Sequence, residues 1–196
     1  MKYNITQSNK QNYVWFRTAK CGTRSILKFL EDNTDIDING RDIQYDNRWQ
    51  DYFKFTIVRN PWDRLVSCWK NKIVTQKPSK RQFRSSLRWE LNYQKATFNE
   101  FISKITEKNN ITRDIHWTLC HNLFPVNDID FIGRFENLQE DFNTVCDKIG
   151  IPQQELPHAN KTKHKHYTEY YNDETKQIVA EKYAKDIELF GYEFGE

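Results

Sequence analysis

FRTAKCGTRSILKFLE, residues 16–31, is the stretch from which the rest of the chain is read. The apolar run before it, Tyr13 to Phe16, has the composition of a short buried strand. A small-residue turn, Ala19-Lys20-Cys21-Gly22-Thr23, follows. Ile26, Leu27, Phe29 and Leu30 then recur with a helical period. A strand, a glycine-containing loop and a helix start in that order form an anion site, because backbone N–H groups and the positive end of the helix dipole meet at one point. Thr23 and Ser25 add hydroxyls, Lys20 a mobile charge and Arg24 a second, fixed one. The competing reading is an ordinary strand-turn-helix corner whose lysine faces solvent.

The flanking sequence extends an α/β pattern. Residues 1–12 are polar and read as an N-terminal arm, leaving 13–196 as a single domain. Residues 32–49 are rich in Asp and Asn and read mostly as loop, with Ile36 and Ile38 in a short strand. YFKFTIVR, residues 52–59, is the strongest strand signal, and Asn60-Pro61 ends it. Asp63 is placed to cap the helix that follows. Thr97 and Glu100 form a capping box ahead of the stripe Phe98, Phe101, Ile102 and Ile105. Residues 129–135 read as a further core strand, and 138–149 as a helix closed by Gly150. One last helix runs from Asn172 or Asp173 to Phe190. The expected fold is therefore a central, mainly parallel sheet flanked by helices.

Composition narrows the function classes. Net charge is +3 over 196 residues, which implies no general nucleic-acid partner. No stretch approaches a membrane span, and the N-terminus has no apolar leader core, so the expected setting is cytoplasmic. Cys21, Cys68, Cys120 and Cys146 form no CxxC and suit neither a zinc knuckle nor a disulfide framework. Basic residues cluster in two places, residues 70–88 and 161–166. The first cluster reads either as a solvated loop or as a lid steering an anionic acceptor. Tyr52, Trp62, Trp69 and Trp89 are candidates for stacking on sugar faces, with core packing the competing reading.

A second phosphate site follows the strongest strand. Arg59 ends it, at the carboxyl edge where open α/β sheets bind ligands, and Ser67 follows eight positions later on the next helix. An arginine fork and a serine hydroxyl at that spacing can grip one phosphate. An Arg59–Asp63 ion pair is the alternative.

These motifs carry a resemblance. Residues 16–25 resemble the 5′-phosphosulfate loop of sulfotransferases, where a K-S-G-T-T-like run binds 3′-phosphoadenosine 5′-phosphosulfate (PAPS). FTIVRNPWDRLVSCW, residues 55–69, resembles their 3′-phosphate motif, with Arg59 and Ser67 at the matching positions. FIGRFENL, residues 131–138, is similar to a later strand-to-helix motif and places Phe135 where an adenine-contacting tyrosine stands. The tail, residues 156–192, is similar to the end of the carbohydrate-type family 2 enzymes. The resemblance implies a P-loop-like fold and in-line transfer of a sulfuryl group from PAPS to an acceptor hydroxyl on a carbohydrate or small metabolite, with 3′-phosphoadenosine 5′-phosphate (PAP) as product and no metal. It implies that Lys20 meets the leaving phosphate, that Cys21, Gly22, Thr23, Arg24 and Ser25 surround the 5′-phosphate, and that Arg59 and Ser67 hold the 3′-phosphate. Lys161 or Lys163 is placed to cover that phosphate by charge and position alone.

His116 is the first candidate for the general base, as histidine titrates near neutral pH. It stands in an H-W pattern whose later Gln position holds Cys120. A structural histidine beside Trp117 is the alternative. A metal site from His116, Cys120 and His121 is the less favoured reading of the same residues. Two other functions compete. One is a non-catalytic module binding polyanions or nucleotides on the same fold. The other is a nucleotide kinase, against which the missing GxxxxGK[ST] pattern argues. Nothing in the sequence sets an oligomeric state.

Overall fold

The fold is seen in a computed structural model, which describes residues 1–75, 96–157 and 165–196. The described residues divide into two compact units where the sequence reads as one domain. The first comprises Met1–Arg59 and Cys120–Lys161, the second Asn60–Leu119 and Thr162–Glu196.

The first unit is built on a five-stranded sheet. Its strands are β1 (Lys2–Ser8), β2 (Tyr13–Phe16), β3 (Ile38–Gln44), β4 (Phe53–Val58) and β5 (Phe131–Arg134), in spatial order β3-β1-β2-β4-β5. The sheet is mixed: β2, β4 and β5 run parallel, while β1 is antiparallel to both β2 and β3. Helix α1 (Thr23–Asn33) follows β2 and buries Ile26, Phe29 and Leu30. Phe29 meets Phe142 edge-to-face, with centroids 5.1 Å apart. Phe142 lies on a second helix of this unit, Leu138–Ile149, which packs on β4 and β5 and ends at Gly150 in the left-handed region.

Residues 1–12 are not an arm. Residues 2–8 form an inner strand in which Thr6, Gln7 and Ser8 are buried. Their polarity hides the strand in the sequence. Each side chain is satisfied locally: Thr6 donates to Asn39, Gln7 to Asn9 and Ser8 to Gln11. Residues 32–49 also hold more strand than expected, since β3 covers Ile38–Gln44.

Parallel register positions the site. Phe16 lies beside Thr56 and Val58 beside Arg134. The residues that leave β2, β4 and β5 therefore emerge side by side at the carboxyl edge. Those residues are the Arg17–Gly22 loop, Arg59 and Phe135.

In the second unit, α2 (Pro61–Trp69) is capped by Asn60, whose side chain accepts from the Trp62 N–H at 3.1 Å. Asp63, expected as the cap, sits within the first turn because Pro61 already occupies the first helical position. Trp62, Leu65, Val66, Phe101, Ile102, Ile105, Trp117, Val179 and Tyr183 belong to the apolar core of this unit. A further helix of this unit, Phe98–Thr106, has the expected capping box. The expected last helix is broken at Tyr183 into Asp173–Lys182 and Ala184–Phe190. The Tyr183 ring is fully buried and its hydroxyl donates to the Trp117 carbonyl, a tertiary tie that helical periodicity does not register. Among the described residues, no helix is long and apolar enough to cross a membrane.

The capping box yields a first prediction. Thr97 accepts from the Glu100 N–H at 3.3 Å, and Glu100 accepts from the Thr97 N–H at 2.7 Å. Thr97→Ala is expected to lower stability by about 1 kcal/mol, read as a shifted urea midpoint at unchanged slope. An unchanged midpoint would show that the tertiary contacts of this helix suffice without its cap.

Candidate functional site

The loop after β2 is held by its own hydroxyls. Thr18 is buried, and its side chain donates to the Ile57 carbonyl of β4. The Thr18 carbonyl in turn accepts from the Thr23 hydroxyl at 2.7 Å. Between them Lys20 and Gly22 both take left-handed backbone, φ +74° and +76°. For lysine this conformation carries a steric cost of about 1–2 kcal/mol. Gly22 adopts it without that cost, and a Cβ there would lie 2.7 Å from Leu138 Cδ2 and displace the leucine.

Gly22 is also the N-cap of α1, and without a side chain it offers the helix start no capping oxygen. No acid stands in the first turn. Ser25 and Ile26 donate backwards to the Gly22 carbonyl at 3.0 and 3.2 Å. Arg24 is exposed and Ser25 half-buried. A helix start without a capping oxygen, beside lysine and arginine, is suited to an anion.

Arg59 ties the three strand ends together. It is 7% exposed, and its Nη1 donates to the Lys20 carbonyl at 2.9 Å. Its guanidinium carbon lies 3.9 Å from the centroid of the Phe135 ring. The position of a Cβ on Gly22 is 3.5 Å from the same ring. The phosphate loop, Arg59 and Phe135, expected from three separate motifs, thus meet in one place. Phe135 presents a face to Arg59. Thr23 spends its hydroxyl proton inside the loop. The Cys21 side chain is buried, with Sγ 3.6 Å from the Ala19 carbonyl, so its part in the site is that of packing and backbone.

Two candidates lie in the second unit. Ser67 is buried in α2. His116 lies in a turn, with Nδ1 2.5 Å from Asp114 Oδ1 and its side chain 21% exposed. Lys161, Lys163, Trp89 and most of the basic segment 70–88 lie outside the described residues. Lys70, its first member, has Nζ 4.8 Å from the Trp69 ring and 5.1 Å from the Tyr170 ring. Trp62 is core rather than a sugar platform, 4% exposed and edge-on to Phe194. Among the described residues no group of three His, Cys, Asp or Glu side chains could hold a metal ion.

Sequence reasoning missed Thr18, Asp114 and Arg64. Thr18 and Asp114 carry no motif signal. Arg64, 1% exposed on α2, donates to the carbonyls of Thr118 at 2.7 Å and Ile115 at 3.0 Å. Charge patterning places such a residue outside, whereas in the fold tertiary carbonyls receive its guanidinium.

The sequence model described as "Sulfotransferase family" matches residues 3–193. Carbohydrate sulfotransferase 14 of Danio rerio is 28% identical over 194 residues, which cover 89% of this chain and 51% of that protein. Carbohydrate sulfotransferase 9 of Homo sapiens is 31% identical over 154 residues, 71% of this chain and 34% of that one. The chain thus spans about half, or less, of the curated relatives it matches. A solved sulfotransferase from Alicyclobacillus acidocaldarius aligns over 76% of this chain and 58% of its own at 14% identity and a TM-score of 0.32, too slight a likeness to bear on function.

Proposed function

The chain belongs to the sulfotransferase family, and from that premise we propose that it moves a sulfuryl group from PAPS to an acceptor hydroxyl, on a carbohydrate by analogy with the named relatives. The observation that carries this reading is the meeting of the Lys20–Gly22 loop, Arg59 and Phe135 at the carboxyl edge of the parallel strands. The glycine cradle and the helix start without a capping oxygen fit the phosphate of such a donor.

When bound, PAPS supplies the sulfuryl group. The proposed duties of the residues follow from their chemistry. Gly22 lets the backbone approach the 5′-phosphate, while Arg24 and Ser25 supply charge and a hydroxyl beside it. Arg59 supplies a guanidinium fork for the 3′-phosphate. The acceptor oxygen bonds to sulfur as the bond from sulfur to the phosphate oxygen breaks, its electron pair staying on the phosphate. By analogy with phosphoryl transfer, charge builds on the leaving oxygen, where the Lys20 ammonium neutralises it. The acceptor proton passes to His116. The moving group carries less negative charge than a phosphoryl, so no metal is required.

Calorimetric titration with PAP tests the donor site. Saturable binding is expected, together with PAPS consumption on some member of a panel of sugars, glycolipids and small phenols. Absence of PAP binding at millimolar ligand would remove the proposal. Salt-sensitive heparin binding in its place would identify a polyanion-binding module.

A further inference from the structure

The turn that carries His116 is bonded far more heavily than a connecting turn requires. The Asp114 carbonyl accepts from the Trp117 and Thr118 N–H groups at 3.2 and 2.9 Å, and from the Thr118 hydroxyl at 2.9 Å. The same hydroxyl reaches the Ile111 carbonyl at 3.1 Å. Trp117 is buried, with Nε1 on the Asn110 carbonyl at 3.0 Å. Arg64 takes the carbonyls of Ile115 and Thr118, and Tyr183 takes that of Trp117. These bonds fix the backbone on both sides of His116.

Within that frame one carboxylate oxygen meets His116 twice. Asp114 Oδ1 accepts the backbone N–H of His116 at 3.0 Å and lies 2.5 Å from Nδ1. An ionised carboxylate accepts and never donates. Nδ1 must therefore carry the proton in that bond, which leaves the lone pair of a neutral imidazole on Nε2. His166 is a useful contrast: it is exposed, and its Nδ1 faces the Thr168 hydroxyl, which can donate or accept and so selects no tautomer.

We propose that Asp114 is a positioning residue that holds His116 with its proton on Nδ1 and Nε2 as the base, on a turn pinned by Arg64. This rests on the reading of His116 as the base of sulfuryl transfer. The proton balance is simple: Nε2 takes the acceptor proton, Nδ1 keeps its own, and the imidazolium so formed is stabilised by the Asp114 carboxylate. Asp114 itself stays ionised throughout.

Asp114→Asn is the informative substitution. Asparagine supports a turn as aspartate does, so the backbone bond to His116 can persist. Its amide can also turn an N–H toward Nδ1, which favours the opposite tautomer. Long-range 1H–15N spectra of histidine-labelled protein, with PAP present and no acceptor, read the tautomer of His116 directly. His116→Ala assigns the signal. The expected result is an Nδ1–H tautomer in the native chain and a shift toward Nε2–H in Asp114→Asn. Turnover on the best acceptor of the panel should fall about 10–100-fold, with KM for PAPS little changed. An unchanged tautomer in Asp114→Asn overturns the positioning role, even where His116→Ala abolishes turnover. Full turnover in His116→Ala overturns the reading of the base itself, and the proposed role of Asp114 falls with it.

Discussion

Lys20→Ala is expected to lower turnover about a thousandfold, some 4 kcal/mol of transition-state stabilisation, while PAP affinity falls less than tenfold. The asymmetry follows from where charge develops. On the proposed reading, the start of α1 and Arg24 already meet the phosphate in the bound ground state. The leaving oxygen gains its full charge only as the bond to sulfur breaks, and an ammonium on the loop is most valuable then. Lys20 brings to the site an ammonium and a carbonyl that accepts from Arg59. Alanine removes the first and keeps the second. Alanine also keeps a Cβ on a backbone at φ +74°, so the local steric cost is the same in both proteins. Single-turnover kinetics alongside PAP titration check it. Equal losses in rate and affinity would show that Lys20 binds donor without favouring the transition state.

Much of this site could be read before the fold was known, and the reason is local. The elements β2, β4, β5 and α1 each announce themselves within about ten residues, by apolar runs, helical periodicity and a glycine. Lys20, Gly22, Arg59 and Phe135 are legible as candidates because each stands at the end of such an element. What escaped depends on partners distant in sequence. β1 is polar on paper, and of its buried polar residues Thr6 finds its partner, Asn39, only in the fold. The expected helix at residues 172–190 breaks at Tyr183, whose hydroxyl reaches Trp117. Arg64 reads as a surface charge until the carbonyls of Ile115 and Thr118 are placed beside it. Arg59 is the instructive middle case. Its position was legible, yet its attachment to the loop was not, because no motif records a bond from a side chain to a carbonyl 39 residues earlier.

That attachment changes what Arg59→Ala should do. A residue that only gripped the 3′-phosphate would cost affinity and leave turnover at saturating donor intact. Arg59 also holds the Lys20 carbonyl and lies against Phe135, which itself flanks Gly22. Removing it leaves a backbone acceptor without that donor and an aromatic face without its partner, so the loop that aims Lys20 loosens. PAP affinity is expected to fall about a hundredfold, in line with truncation of a buried, charged hydrogen-bonding group. Turnover at saturating PAPS should fall as well, by about tenfold or more, because small misplacements of a catalytic group are costly. Arg59→Lys should recover little: lysine keeps the charge but has neither the planar fork nor the face that lies on Phe135. The double variant separates the two duties. If Arg59 acts on turnover through Lys20, then Arg59→Ala made in the Lys20→Ala background lowers affinity as before but leaves kcat where Lys20→Ala alone put it. Losses in kcat that multiply would mean that the arginine reaches the reacting group by a route of its own, and that the bond to the Lys20 carbonyl is scaffolding without consequence for the chemistry.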